Sequence, residues 1–189
     1  MNSMPSYPTA LDKAAHTLAT GGVISYPTEA VYGLGCDPFD EKAVMKLLAI
    51  KQRAPEKGLI LVISDWQQCA ALTKPLSPDL HARILASWPS HTTWIFPASD
   101  LAPAWITGTH KSLAIRMSAH PVVRALCQKI DAPLVSSSAN LQGCPAITDP
   151  TVLAQDLGAQ LDFMMPGALG GAKSPSVIKE ALTGDILRS

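Results

Sequence analysis

The stretch that decides the fold runs from Ile50 to Ile63 and reads IKQRAPEKGLILVI. An apolar helical pattern with Asp40 as its candidate cap leads into it, and Gly58–Ser64 is apolar on both faces. A short run of that kind is typical of a central strand covered on both sides. Helix, polar turn and buried strand in succession predict an α/β arrangement.

Cations concentrate at this junction. Lys51, Arg53 and Lys57 fall within seven residues. In an extended segment, Lys51 and Arg53 would leave the same side of the backbone because one residue separates them. Such a pair on a loop suits a polyanion such as a triphosphate. The alternative is a helix C-terminus whose basic residues complement the helix dipole.

Strand and helix patterns alternate along the rest of the chain and predict a single α/β domain over residues 9–189, after a flexible leader of residues 1–8. No repeat or linker-like change of composition interrupts the pattern. Two glycines within residues 31–35 indicate a tight backbone or a close approach to a ligand. The predicted strands are 23–26, 58–64, 92–97, 112–117, 133–135 and 161–165. The predicted helices follow Thr9, Asp40, Asp65, Ser77, His120 and Asp149.

Composition narrows the class of protein. Of the 189 residues, 47% are hydrophobic and 16% are charged, which excludes a disordered chain. Lys+Arg and Asp+Glu are both 15, so a polyanion site must come from local clustering of cations. The four cysteines lack metal-ligand spacing, and we expect buried thiols in a reducing compartment. With no signal-peptide pattern and no apolar run of about 20 residues, the expected location is cytoplasmic, without membrane contact.

Several catalytic patterns are absent from the sequence. Neither GxxxxGK[ST] nor GxGxxG occurs, so no Walker A loop or Rossmann fingerprint is present. The serine run Ser136–Ser138 has no GxSxG elbow around it. No HExxH motif or carboxylate cluster predicts a metal held by the protein, although Mg²⁺ carried by a nucleotide would leave no such trace.

What remains is a set of polar residues, most of them near the ends of predicted strands. Ligands of open α/β sheets bind beyond the carboxyl ends of strands. Lys51 with Arg53, and Ser138 with Asn140, form two pairs that are each spaced i and i+2, and the two pairs would line opposite walls of one cleft. Each residue also has a structural alternative. Ser138 and Asn140 would be turn residues, Arg116 would belong to a surface ion pair, and Arg188 would be a solvated terminal residue. The residues are Thr28, Lys51, Arg53, Arg116, Ser138, Asn140 and Arg188.

Three motifs in register resemble the TsaC/YrdC (RimN) family. They are Tyr26-Pro27-Thr28-Glu29, Lys51-x-Arg53 and Ser136-Ser137-Ser138-Ala139-Asn140. The resemblance extends from about Thr9 to Arg188 and includes residues 113–116, Pro175-x-Val177 with Ser176 between them, and residues 186–188.

The resemblance implies a twisted mixed sheet of about seven strands flanked by helices, with a basic cleft. It also implies a threonylcarbamoyl-AMP synthase that converts L-threonine, bicarbonate and ATP into L-threonylcarbamoyladenylate and pyrophosphate. Mg²⁺ would enter with ATP. Partner proteins would transfer the threonylcarbamoyl group to tRNA, and direct contact of RNA with this chain is a further partner interaction to test. A non-catalytic RNA-binding or ribosome-maturation protein is the rival interpretation.

By the same resemblance, the residues divide between two substrates. Thr28 and Arg116 are expected to bind threonine, the guanidinium pairing with its carboxylate. The ATP side is expected to comprise Lys51, Arg53, Ser136, Ser138, Asn140, Ser176 and Arg188, with Lys51, Arg53, Ser138 and Asn140 catalytic.

This chain departs from the family pattern at two places. Ala54 stands where a proline commonly follows the KxR arginine, and Pro55 comes one place later. Ser90-His91 replaces a Gly-Pro after Trp88-Pro89, which removes a tight-turn device beside the cleft. Neither change is expected to touch a residue of the site.

Overall fold

A mixed β-sheet carries the fold in the computed structural model, which describes residues 7–188. Across the sheet the nine strands of this part of the chain lie in the order β7-β1-β2-β6-β3-β5-β4-β8-β9. The pairs β1/β7, β3/β5 and β4/β8 are parallel and the other pairs are antiparallel. In chain order the strands are β1 Ile24–Pro27, β2 Tyr32–Gly35, β3 Ile60–Ile63, β4 Thr92–Pro97, β5 Ser112–Met117, β6 Leu134–Ser138, β7 Phe163–Met164, β8 Val177–Glu180 and β9 Ile186–Arg188.

Local sequence signals explain where most of the helices begin. The Asp40 carboxylate accepts hydrogen bonds from the amides of Lys42 and Ala43 at the start of the second helix, as its sequence predicts. Ser77 caps the third helix in the same way, with proline at its first position. The α-helices are α1 Tyr7–Ala19, α2 Glu41–Lys51, α3 Pro78–Ala86, α4 Ala104–Thr107, α5 Pro121–Ile130 and α6 Pro150–Asp156.

The sheet separates two apolar cores. Helices α1 and α5 pack together over one face, in the core that contains Val62. Leu61 and Ile63 point to the other face, into the larger core that also receives α2. Strand β3 lies between β6 and β5 with both of its faces covered, so the prediction of a central, doubly covered strand is confirmed.

The α1/α5 face is not covered along its whole length. Strand pairing places Ser136 beside Ile60, Arg116 beside Val62 and Ser138 beside Gly33, all on this face. Side chains alternate along a strand, so Leu113 and Ile115 enter the larger core while Arg116 projects to the opposite face. The exposed part of this face forms the floor of a cleft.

The fold agrees with a single mixed-sheet α/β domain and corrects several details. The sheet has nine strands instead of about seven, because β8 and β9 follow a glycine-rich loop at residues 167–171 and extend the β4 edge. Helix α1 begins at Tyr7, and residues 1–6 of the predicted leader lie outside the described residues. Cys36, Cys69 and Cys127 are buried thiols, whereas Cys144 is exposed. No helix in the described part is long and apolar enough to cross a membrane.

Candidate functional site

A cavity of about 270 Å³ opens on the uncovered part of the sheet. Three arginines from different elements line it: Arg53 after α2, Arg116 on β5 and Arg188 on β9. A smaller cavity of about 140 Å³ shares Arg53 and Ser138 with it. The larger cavity contains seven predicted residues, Thr28, Arg53, Arg116, Ser136, Ser138, Ser176 and Arg188, and the smaller one contains the other two, Lys51 and Asn140.

Arg116 is buried in the floor of the cleft beside a carboxylate that the sequence did not single out. Its Nη1 lies 3.5 Å from Glu29 Oε2 and 3.2 Å from His91 Nδ1. The other carboxylate oxygen, Glu29 Oε1, accepts a hydrogen bond of 2.6 Å from the hydroxyl of Ser118. Among the described residues Arg116 Nε has no hydrogen-bond partner.

The charge state of Glu29 follows from these neighbours. Burial by itself raises the pKa of the carboxyl, but the Arg116 guanidinium and the Ser118 hydroxyl favour the ionised form more strongly. The net effect is a pKa below the ordinary value, so Glu29 is a carboxylate at neutral pH. The positive charge of Arg116 is thereby partly balanced in the absence of any ligand.

Lys51 holds the turn that follows β6. Its ammonium donates to the backbone oxygen of Ser138, and at 3.0 Å each to the backbone oxygen and Oδ1 of Asn140. Asn140 Oδ1 also accepts a hydrogen bond of 2.7 Å from the Ser138 hydroxyl. Burial, and next the charge of Arg53, lower the pKa of Lys51 to about 8. One cation therefore fixes both residues of the Ser138-x-Asn140 pair.

Arg53 and Arg188 are held by neutral oxygens. Arg53 Nη2 donates to the backbone oxygen of Gly58 at 2.9 Å, and Arg188 Nη2 donates to the backbone oxygen of Ser176 at 2.9 Å. The Ser176 hydroxyl in turn lies 2.9 Å from Thr93 Oγ1. Burial, followed by the charge of Arg116, lowers the pKa of Arg188, which places these two guanidiniums in one electrostatic environment.

Thr28 closes the turn between β1 and β2. Its hydroxyl donates to the backbone oxygen of Val31 at 2.7 Å, and its own backbone oxygen accepts from Gly170 at 3.0 Å. The glycine-rich segment after β7 therefore packs on this turn. Ser136, within β6, is buried in the cavity floor opposite the turn.

The geometry corrects three expectations about the cations. Lys51 is the last residue of α2 and Gln52 has a left-handed backbone with φ of 51°, so the Lys51-x-Arg53 segment is not extended. The two i, i+2 pairs form one wall because Lys51 bonds directly to Ser138 and Asn140. Arg116, Ser136 and Arg188 lie within strands, so the cleft occupies a sheet face and extends beyond the strand ends.

The two departures from the family pattern have different consequences. Ala54 precedes a 3₁₀ turn that begins at Pro55, and this turn is exposed. His91, by contrast, contacts Arg116 and lines the larger cavity, so the expectation that neither departure touches the site is wrong. Glu29 and His91 are the site residues that pattern analysis missed. The signal for Glu29 was its place in the Tyr26–Glu29 motif, directly after a buried strand.

Five cations line the two cavities, and the Glu29 carboxylate lies beside Arg116, although the whole chain carries no net charge. The cations are Lys51, Arg53, Lys57, Arg116 and Arg188. Fold and cleft together define a mixed-sheet α/β domain with a positively charged cleft on one face. Serine, threonine and asparagine groups surround the cations, which is the donor set that phosphate oxygens and carboxylates require.

Comparison with known proteins identifies the class further. Residues 16–189 match the model of the Sua5/YciO/YrdC family, whose description is "Telomere recombination". The chain is 49% identical over 185 residues to the threonylcarbamoyl-AMP synthase of Coxiella burnetii, covering 98% of this chain and 100% of the relative. It is 51% identical over 191 residues to the threonylcarbamoyl-AMP synthase of Xanthomonas campestris pv. campestris, with the same coverage. The chain belongs to the Sua5/YciO/YrdC family.

Solved structures give the same placement. P. abyssi Sua5 complexed with L-threonine matches with a TM-score of 0.84 and 29% identity over 94% of this chain, which spans 52% of that longer chain. E. coli YciO matches with a TM-score of 0.81 and 22% identity over 99% of this chain and 91% of its own. The second likeness supports the fold alone.

Proposed function

We propose that this chain is a threonylcarbamoyl-AMP synthase, which makes L-threonylcarbamoyladenylate and pyrophosphate from L-threonine, bicarbonate and ATP. The support comes from curated relatives of that name, which share about half of their residues with this chain and align with it over nearly its full length. The observation in the structure that carries the proposal is the meeting of Arg53, Arg116 and Arg188 on one uncovered sheet face, beside Lys51.

The proposed reaction has two steps. The amine nitrogen of threonine forms a bond to the carbon of bicarbonate, and water is lost, which gives an N-carboxy (carbamate) group. An oxygen of this carbamate then forms a bond to the α-phosphorus of ATP, and the bond between that phosphorus and the bridging oxygen of pyrophosphate breaks. Charge spreads over phosphate oxygens in the second transition state, so fixed cations nearby are the main catalytic requirement.

The site residues divide between the two substrates in this proposal. Lys51 and Arg53 balance the charge of the triphosphate, and Ser136, Ser138, Asn140, Ser176 and Arg188 contribute to the nucleotide side. Lys51 acts both as a charge and as the residue that holds Ser138 and Asn140 in place. Mg²⁺ enters with ATP. The adenylate is then passed to proteins that transfer the threonylcarbamoyl group to tRNA.

Threonine binding is assigned to the floor of the cleft. Arg116 engages Glu29 and His91 through Nη1, while its buried Nε has no hydrogen-bond partner among the described residues. A carboxylate that pairs with the guanidinium would supply that missing acceptor. Thr28, on the turn across the cavity, is the second residue proposed to contact threonine.

The test measures pyrophosphate release from ATP with and without L-threonine and bicarbonate. We expect release to require both, and release without threonine would contradict the proposal. Arg116→Ala is expected to raise the threonine KM at least about tenfold and to change the ATP KM by less than about threefold. An unchanged threonine KM would remove Arg116 from the threonine site. RNA binding without any turnover would favour the non-catalytic alternative.

A further inference from the structure

His91 connects the threonine side of the cleft to the segment that follows the glycine-rich loop. Its Nε2 lies 2.8 Å from the backbone oxygen of Ser174, and its Nδ1 lies 3.2 Å from Arg116 Nη1. Its own backbone oxygen accepts from the amide of Val177 at 3.2 Å, where β8 begins. The ring is therefore held from both sides, at the end of β4 nearest Arg116.

The chemistry of the two partners fixes the hydrogen on the imidazole. A backbone carbonyl oxygen can only accept, so Nε2 must carry a hydrogen to bond Ser174. A guanidinium can only donate, so Nδ1 must present a lone pair to Arg116. The Glu29 carboxylate oxygen Oε2 is 3.9 Å from Nδ1, beyond hydrogen-bond distance, so it does not compete for a hydrogen on that nitrogen. Both contacts are satisfied together by one species, the neutral imidazole protonated at Nε2.

This arrangement gives Arg116 Nη1 one hydrogen-bond acceptor, His91 Nδ1, and one ion-pair partner, Glu29 Oε2, which accepts no hydrogen bond from the described residues. Nη1 carries two hydrogens, and Glu29 Oε2 and His91 Nδ1 lie within 3.5 Å and 3.2 Å of it. Glu29 is itself fixed through its other oxygen by Ser118. The hydrogen bond to His91 and the ion pair with Glu29 together restrict rotation of the guanidinium, so its remaining donors keep one orientation toward the cavity.

We infer that His91 is a positioning residue: its Nδ1 orients the Arg116 guanidinium for the carboxylate of the amino-acid substrate, and the Ser174 contact holds the imidazole in the required tautomer. The part that concerns the substrate rests on the proposed function. The sequence pattern in this stretch gave no indication of it, since Ser90-His91 stood only as a departure from Gly-Pro.

Two amide variants separate the two ring nitrogens. In His91→Asn, Oδ1 is the same number of bonds from the backbone as Nδ1, so the acceptor for Arg116 is kept and the reach to Ser174 is lost. In His91→Gln, the terminal amide instead corresponds to Nε2, so the reach to Ser174 is kept and the acceptor beside Arg116 is lost. Neither amide carries charge, which leaves hydrogen-bond geometry as the difference between them.

The inference predicts that the two variants differ in their threonine KM and that neither differs much from the unchanged protein in its ATP KM. His91→Gln is expected to raise the threonine KM at least about fivefold, because a hydrogen bond to a charged group is lost. The threonine KM of His91→Asn is expected to stay within about twofold of that of the unchanged protein. For both variants the ATP KM and kcat should change by less than about threefold. His16→Gln, an exposed substitution on α1, is the matched control.

A second measurement does not depend on the reaction. In ¹⁵N NMR spectra at pH 8, the His91 ring, assigned by its disappearance in His91→Asn, should show a protonated Nε2 and an unprotonated Nδ1. The opposite tautomer, or a threonine KM in His91→Gln equal to that of the unchanged protein, would overturn the inference. Equal losses in the two variants would do the same. Absence of threonine-dependent turnover in the unchanged protein would instead count against the proposed function, while the tautomer still tests the contact.

Discussion

At the residue scale, the cleft keeps most of its positive charge because neutral oxygens hold its cations. Lys51, Arg53 and Arg188 bond to backbone and amide oxygens. Among the cations that line the two cavities, only Arg116 forms an ion pair with a carboxylate of the described residues. Such partners position a cation without cancelling its charge, so the field remains available to a polyanionic ligand.

Removal of either cation at the C-terminal end of α2, Lys51 or Arg53, should reduce turnover. Lys51→Ala and Arg53→Ala are each expected to lower kcat/KM for ATP at least about tenfold, or about 1.4 kcal/mol of transition-state stabilisation. Lys51→Ala also frees the Ser138–Asn140 turn. Lys42→Ala, exposed at the other end of the same helix, should leave the rate unchanged. Wild-type rates in a folded Lys51→Ala, Arg53→Ala double variant would contradict the assignment.

The pKa of Lys51 predicts how nucleotide binding depends on pH. Burial, aided by Arg53, lowers this pKa to about 8, so the side chain loses its charge as the pH rises through that value. The neutral amine attracts phosphate less, and the ATP dissociation constant should therefore increase between about pH 7 and pH 9. Isothermal titration calorimetry measures the change. The increase should be smaller in Lys51→Ala, and an identical profile in both proteins would refute the explanation.

At the element scale, β9 completes the cleft. It pairs antiparallel with β8, and this pairing places Arg188 against Ser176 and in the wall of the larger cavity. Sequence patterns could not predict either strand. Both are short, and β8 depends on parallel pairing with β4, which is distant in the chain. By contrast, the long strands β4 and β5 match their predicted bounds, and helix α5 begins directly after His120 as predicted, because periodicity and helix-start signals act locally.

Substitution within β9 should separate the contribution of Arg188 from that of the strand. Arg188→Ala is expected to weaken ATP binding at least about threefold, since one cation leaves the cavity wall while β8/β9 backbone pairing remains. Leu187→Ala changes an exposed side chain of the same strand and should leave binding unaltered. Titration calorimetry with ATP compares the two. Equal affinities for Arg188→Ala and the unchanged protein would show that Arg188 makes no contact with the nucleotide.

At the scale of the whole molecule, a neutral chain concentrates charge by folding. Lys+Arg and Asp+Glu are balanced at 15 each, yet elements distant in sequence bring five cations to two adjoining cavities. The Lys51, Arg53, Ser138 and Asn140 candidates could be named from their motifs. Their grouping on a single wall could not, because it depends on the left-handed residue Gln52 and the bonds of Lys51.

The two missed residues show the same limit of sequence analysis. Glu29 and His91 matter through what they contact, and both contacts are made with Arg116, which lies far from them along the chain. A carboxylate after a strand or a histidine after a turn has no spacing that identifies such a partner. Their roles became visible only when the sheet register placed β5 beside the end of β4.

The most direct test of the central claim follows the carbon of bicarbonate. The protein is incubated with ATP, L-threonine and ¹³C-bicarbonate, and the nucleotide products are analysed by mass spectrometry. The account predicts a single adenylate that contains threonine and the labelled carbon, formed together with an equal amount of pyrophosphate. An adenylate without the labelled carbon, or pyrophosphate formed in the absence of threonine, would contradict it.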